Sequence, residues 1–224
     1  MNKPTLDHKT LKARQRRERE GHSEGLKLRV HRALSWLDAA EHAGEDWDAK
    51  FIFLWIAFNA AYAEVIRGGG RHGEHENLLR FMQRLLELDR GGHLARLVWD
   101  EYPKSIRTLI DNPYVFPAFW RWQAGDMTKE GWQTRFADAQ RRALKALQRG
   151  DTAKVLSITL SRIYTLRNQL LHGGATWQGK VNRAQLRDCA RLMGQLVPVI
   201  ITILMDHPDE KWLPAAYPVV LDGP

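Results

Sequence analysis

Apolar residues recur at helical spacing along most of the chain. In 25–43, GLKLRVHRALSWLDAAEHA, residues Leu26, Val30, Ala33, Leu34, Leu37 and Ala40 line one stripe of a 3.6-residue period. That pattern predicts an amphipathic helix. Residues 47–66, WDAKFIFLWIAFNAAYAEVI, are apolar nearly all round. Such a helix is enclosed by its neighbours. Asn59 is the strongly polar residue within 51–63. Buried there, its amide must find hydrogen-bond partners, either as a satisfied core group or as an amide lining a site. Residues 76–111 read as helical in two pieces parted by Gly91-Gly92, and 129–149 as a basic amphipathic helix. Residues 152–172 carry apolar Val155, Leu156, Ile158, Leu160, Ile163, Leu166 and Leu170, then stop at Gly173-Gly174. Glycine commonly sits just past a helix C-terminus. A last helix over 183–206 has Asn182 as its expected N-cap and Pro198 as an expected kink. No stretch alternates with period two, so the pattern predicts an all-α fold.

Three segments interrupt this pattern. GGGRHGEHEN, 68–77, reads as a flexible break. NPYVFPAFWRWQAGD, 112–126, is aromatic and punctuated by prolines. Its Trp120, Arg121 and Trp122 suit either a base-stacking patch or a core plug. Residues 1–24 hold Lys9, Lys12, Arg14, Arg16, Arg17 and Arg19 among Glu18, Glu20 and Glu24. They read as a basic, flexible arm or a frayed helix, with an RNA-gripping arm as the functional alternative.

Charge narrows the partners. The 224 residues carry 34 Lys and Arg against 26 Asp and Glu, a formal net charge of +8. That balance favours a polyanion, nucleic acid first. One cysteine, Cys189, allows neither an internal disulfide nor a thiolate zinc site. The N-terminus has no apolar core of a secretory signal. The longest apolar runs, near 51–66 and 192–205, fall short of the ~20 residues of a spanning helix. The expected location is therefore cytoplasmic, with no membrane partner. His72, Glu74, His75 and Glu76 cluster, but match no ligand spacing on a helix. No metal and no cofactor are expected.

One stretch holds candidate chemistry: LRNQLLHGGATW, 166–177. Arg, four residues, then His occurs three times, as Arg17/His22, Arg67/His72 and Arg167/His172. Chance placement predicts about one, so the spacing alone is unspecific. Only the third pair ends a strongly apolar helix. A charged Arg at the edge of a core helix needs a partner. His172 lies in the last turn, where the helix dipole favours imidazolium. Arg can fork onto phosphate oxygens, and His can move protons near neutral pH. The five-residue offset leaves the two side chains about 140° apart on an ideal helix. Arg167 is equally readable as an ion-pair residue and His172 as a dipole partner.

LRNQLLHGGATW resembles the motif of the HEPN family, Arg, four to six residues, then His, with a polar residue after the Arg. Asn168 fits that place. FLWIAFNAAY, 53–62, is similar to an earlier core helix of HEPN domains of the Apea-like group. KVNRAQLRDCARLMGQLVPVIITILMDHP and WLPAAYPVV also resemble that group. The resemblance covers most of 25–220 and is weak across 68–150. It implies an antiparallel helical bundle over 25–224, with 68–150 a helical insertion, that dimerises beside the motif helix. It implies a metal-independent endoribonuclease, a toxin or antiphage, abortive-infection effector, with RNA as substrate and an antitoxin or other regulatory protein as partner. Arg167 and His172 would be catalytic, Asn168 and Asn59 auxiliary, and Lys180 and Arg183 RNA-binding. The alternative is a catalytically inactive HEPN module that binds RNA, a nucleotide or a protein. His172 precedes Gly173 and not the tyrosine of the His-x-Tyr subgroup, so modification of that tyrosine is not expected. Two histidines are needed, one to take the 2′-hydroxyl proton and one to protonate the leaving oxygen. A twofold dimer supplies both.

Overall fold

A computed structural model of the chain describes residues 6–62, 71–180, 182–212 and 216–217. Every regular element among them is helical: ten α-helices with short 3-10 and π turns between. The chain divides into two compact units, residues 1–74 with 190–224, and His75–Cys189. The division falls inside the last helix, α10 (Arg183–Asp206).

The first unit holds α1 (His8–Glu18), α2 (Glu24–His42), α3 (Trp47–Tyr62) and α10 from Ala190. Leu26, Val30, Ala33 and Leu34 of α2 are fully enclosed, as are Phe51 and Ala57 of α3. Leu54 of α3 lies 3.8 Å from where a Cβ on Gly194 of α10 would stand, so glycine there leaves ordinary packing room. Arg29, also buried, donates from Nη1 to the carbonyls of Ala61 and Tyr62 at 2.9 and 3.4 Å. These are last-turn acceptors of α3, where a cation meets the negative end of the helix dipole. The continuation predicted for this helix, 63–66, and the glycines 68–70 lie outside the described residues, as does most of 213–224.

The segment expected as a flexible arm or a frayed helix contains a regular helix. Residues 8–18 form a docked helix, capped by Asp7, whose Oδ1 accepts the Thr10 N–H at 2.8 Å. Leu11 is 2% exposed and Gln15 is buried. Arg14 pairs with Asp206 of α10 at 2.7 Å, and the His8 N–H reaches Glu41 at 2.8 Å. One leucine among charges gives no readable stripe, which is why this helix was not predicted as part of the core. Leu11→Ala is therefore expected to cost about 2–3 kcal/mol, read as a lower midpoint of urea unfolding.

A second correction concerns the longest apolar run. It belongs to a 24-residue helix, α10, long and apolar enough by length and composition to cross a membrane. Its apolar window is 72% buried inside the protein, with Met193, Leu196, Val197, Ile200 and Leu204 in the core. Asn182 precedes it with φ 57°, and its carbonyl accepts the Leu186 N–H at 2.9 Å. Pro198 lies within the helix.

The second unit starts in α4 (Arg71–Leu88), so 71–77, predicted as a loose break, is helical. Gly92, at φ 62°, opens α5 (His93–Arg96), which runs on into a π-helical turn over Leu97–Glu101. α6 (Pro103–Asp111) follows. Two pieces were expected across 76–111; Pro103 makes a further break, because proline suits only the first turn of a helix. Pro113 and Pro117 likewise open a 3-10 turn (Pro113–Val115) and α7 (Pro117–Gln123). α8 (Lys129–Gln148) and α9 (Thr152–Leu171) complete the unit. Thr128 and Asp151 cap them through side-chain oxygens on Gly131 and Lys154 N–H groups. The region expected as an insertion therefore does not stand apart. It forms one compact unit with α9, the motif helix, which packs on α6, α8 and the 113–115 turn.

Arg162 of α9 fastens this unit from inside. It is 4% exposed, and its guanidinium lies 4.4 Å from the Phe116 ring centre and 5.5 Å from that of Phe136. One nitrogen donates to the Ile110 carbonyl at 3.4 Å. Burial lowers its pKa to about 10, against an opposing pull from Asp111.

Candidate functional site

The motif sits at a helix end whose geometry the two glycines dictate. α9 ends at Leu171, and His172 is its C-cap. Gly173 has φ 73°, a left-handed conformation that costs a residue with a Cβ about 1–2 kcal/mol. Its N–H bonds to the Leu170 carbonyl at 3.2 Å, and the Gly174 N–H to the Gln169 carbonyl at 2.7 Å. These two bonds are the Schellman arrangement. A Cβ on Gly174 would lie 3.0 Å from the Gln169 oxygen. The turn fixes where the chain leaves the helix, and so how His172 is presented. Gly173→Val is expected to destabilise the chain by about 1–2 kcal/mol in urea unfolding.

His172 is exposed, and its N–H bonds to the Asn168 carbonyl at 3.0 Å. Arg167 is half-buried and donates from Nη1 to Asn168 Oδ1, also at 3.0 Å. No hydrogen bond joins Arg167 to His172 among the described residues. Asn168 links them instead, by its side chain to one and by its backbone to the other. Arg167 Nε is buried and finds no hydrogen-bond partner among the described residues. The guanidinium lies 5.9 Å from the Tyr164 ring centre. Tyr164, Arg167, Asn168 and Leu171 follow the spacing of one helix face. Tyr164 is 45% and Leu171 51% exposed, so this face carries two large, partly exposed side chains around the motif. A guanidinium and, five positions on, an exposed imidazole are side chains that suit an anion such as phosphate.

The other candidates are spread more widely. Asn59 is half-buried on α3 of the first unit, and is not the fully enclosed amide expected. Lys180 is exposed in the turn after the glycines. Arg183, at the start of α10, donates from Nε to the Gly179 carbonyl at 3.0 Å, so part of its guanidinium closes that turn. His75 meets the Ser161 hydroxyl at 3.3 Å, and burial lowers its pKa. The side chains of His72 and Glu74 lie outside the described residues. Among those described, no three His, Cys, Asp or Glu groups are arranged to hold a metal ion. Burial pushes the Cys189 thiol up in pKa, away from the reactive thiolate. A groove of about 490 Å³ between α6 and α8, with Arg107, Asp111, Arg141 and Leu144 in its walls, contains none of the motif residues.

The aromatic segment divides in two. Trp122 is half-buried and stacks on Trp132, also half-buried, their centres 5.6 Å apart. Trp120 stays 44% exposed. Its Nε1–H donates to the Tyr114 carbonyl at 2.7 Å. The same carbonyl accepts from Gln169 of α9. Tyr114 and Gln169 were not singled out in the sequence. A tyrosine between two prolines gives no periodic signal, and a glutamine beside the motif gains meaning only through this contact.

No protein-family model matches the chain, and comparison with curated proteins and with solved structures gives no match.

Proposed function

We propose that the chain is a metal-independent endoribonuclease of HEPN type, working as a homodimer and serving as a toxin or antiphage defence effector. The observation that carries this reading is the glycine-fixed end of α9, with His172 exposed and Arg167, five residues earlier on the same helix, bonded to Asn168. Two such ends related by a twofold axis give one histidine to take the 2′-hydroxyl proton. The other protonates the leaving 5′-oxygen. The paired Arg167 side chains stabilise the charge that builds on phosphorus. Asn168 holds Arg167 in place. The partly exposed Tyr164 and Leu171 flank the motif on the face that a second copy would cover. An antitoxin or another regulatory protein is the expected control, and Lys180 and Arg183 the nearest added positive charge for RNA.

A second reading is a catalytically silent RNA-binding module. It is favoured by the lack of a direct bond between Arg167 and His172. Incubating the full chain with total RNA in EDTA, beside light scattering at micromolar concentration, separates the two. Cleavage by a dimer is expected. RNA binding by a monomer that leaves the RNA intact would favour the silent module.

A further inference from the structure

We infer that Tyr114 and Trp120 form a stacking subsite for an unpaired nucleobase, placed to hold single-stranded RNA against the end of α9. The inference rests on the endoribonuclease reading of Arg167 and His172, and adds what that site binds beside the cleaved phosphate.

Large exposed aromatic rings call for an explanation when they lie together. Tyr114 is 49% and Trp120 44% exposed, and each makes a T-shaped contact with Phe119, at 5.1 and 5.3 Å between ring centres. The indole N–H of Trp120 is already used on the Tyr114 carbonyl. With that donor used, the exposed part of the indole is aromatic carbon, and the bond restrains its orientation. A preorganised ring loses little freedom on binding, and every base has a face to stack. Trp122 and Trp132, stacked on one another, are less exposed and already use a face on each other.

Gln169 connects the rings to the motif. Its side-chain amide donates to the Tyr114 carbonyl, while its own carbonyl accepts the Gly174 N–H. One residue thus ties the aromatic pair to the turn that presents His172. On an ideal helix, position 172 lies about 4.5 Å along the axis and about 60° around it from position 169. The Tyr164–Leu171 face lies on another side of α9, so a second copy there leaves the rings open. Exposed Arg121, next to Trp120, and the net charge of +8 suit a polyanion crossing this surface. An apolar protein segment would gain nothing from that charge.

The test uses the full chain with His172→Ala, so that the probe survives. Fluorescence anisotropy measures binding of a labelled single-stranded oligoribonucleotide and of a duplex of equal length. Tyr114→Ala and Trp120→Leu are each expected to weaken single-strand binding on the order of tenfold and to spare duplex binding. Trp120→Phe, which keeps a ring, is expected to retain most of the affinity. Circular dichroism confirms that each variant is folded; should Trp120→Leu unfold, Tyr114→Ala and Trp120→Phe carry the comparison. Unchanged single-strand affinity in the folded variants would overturn the subsite, as would an equal loss on single strand and duplex. If RNA is cleaved by the wild-type chain but ring removal leaves binding unchanged, the subsite falls and the enzyme stands. Ring-dependent binding without any cleavage by the wild-type chain would do the reverse.

Discussion

Replacing His172 by alanine is expected to abolish RNA cleavage while leaving the fold intact. The side chain is exposed and makes no hydrogen bond among the described residues. Its backbone N–H bond to Asn168 survives in alanine. No cavity opens, so the midpoint of urea unfolding should stay within about 0.5 kcal/mol of wild type. Loss of a proton-transfer group lowers the rate by about 10²–10⁴-fold. Arg167→Ala should act alike on the rate, since it removes positive charge from the phosphate and leaves Asn168 Oδ1 without its donor. Initial rates on a fluorogenic oligoribonucleotide check both. Full activity in His172→Ala contradicts the mechanism, and unfolding of both variants favours a structural role for the pair.

The largest expected effect on stability lies one and a half turns earlier. Arg162→Ala should cost about 2–4 kcal/mol, because the side chain is enclosed and packs against both Phe116 and Phe136. Its partners come from α8 and from the segments flanking the 113–115 turn, so its loss loosens the unit that carries the motif. Arg162→Met fills most of the space without a buried charge, and should cost much less. No carboxylate ion pair to Arg162 is present among the described residues, so replacing it with an apolar chain strands no buried carboxylate. Equilibrium unfolding in urea measures both. Equal losses from Ala and Met would mean that charge on the rings, and not packing, does the holding.

The sequence was most legible where one stripe of apolar residues meets a clear stop. α2, α8 and α9 lie within a residue of where periodicity and capping residues put them. Gly173 announced the end of α9, because few residues other than glycine take its backbone angles readily. α1 was hidden because a single leucine and several ion pairs hold it, and ion pairs have no period. The breaks around 103–117 depend on prolines that open helices here, while the same residue type at 198 lies inside one. In the candidate site, the neighbourhood of Arg167, Asn168 and His172 could be read from one segment. The contact of Gln169 with Tyr114 spans 55 positions, and no local pattern foretells it. The same holds for the enclosure of Arg162 by Phe116 and Phe136, which lie elsewhere in the chain.

Cleavage chemistry is decided by the ends it leaves. The full chain, freed of metal with EDTA, is incubated with a defined single-stranded oligoribonucleotide, and the product masses are read. Attack by the ribose hydroxyl, driven by two His172 side chains, leaves a 2′,3′-cyclic phosphate and a 5′-hydroxyl and needs no Lewis acid. Those ends, formed in EDTA and lost with His172→Ala, are the expected result. Products with 5′-phosphate ends, or cleavage that stops in EDTA, would contradict it.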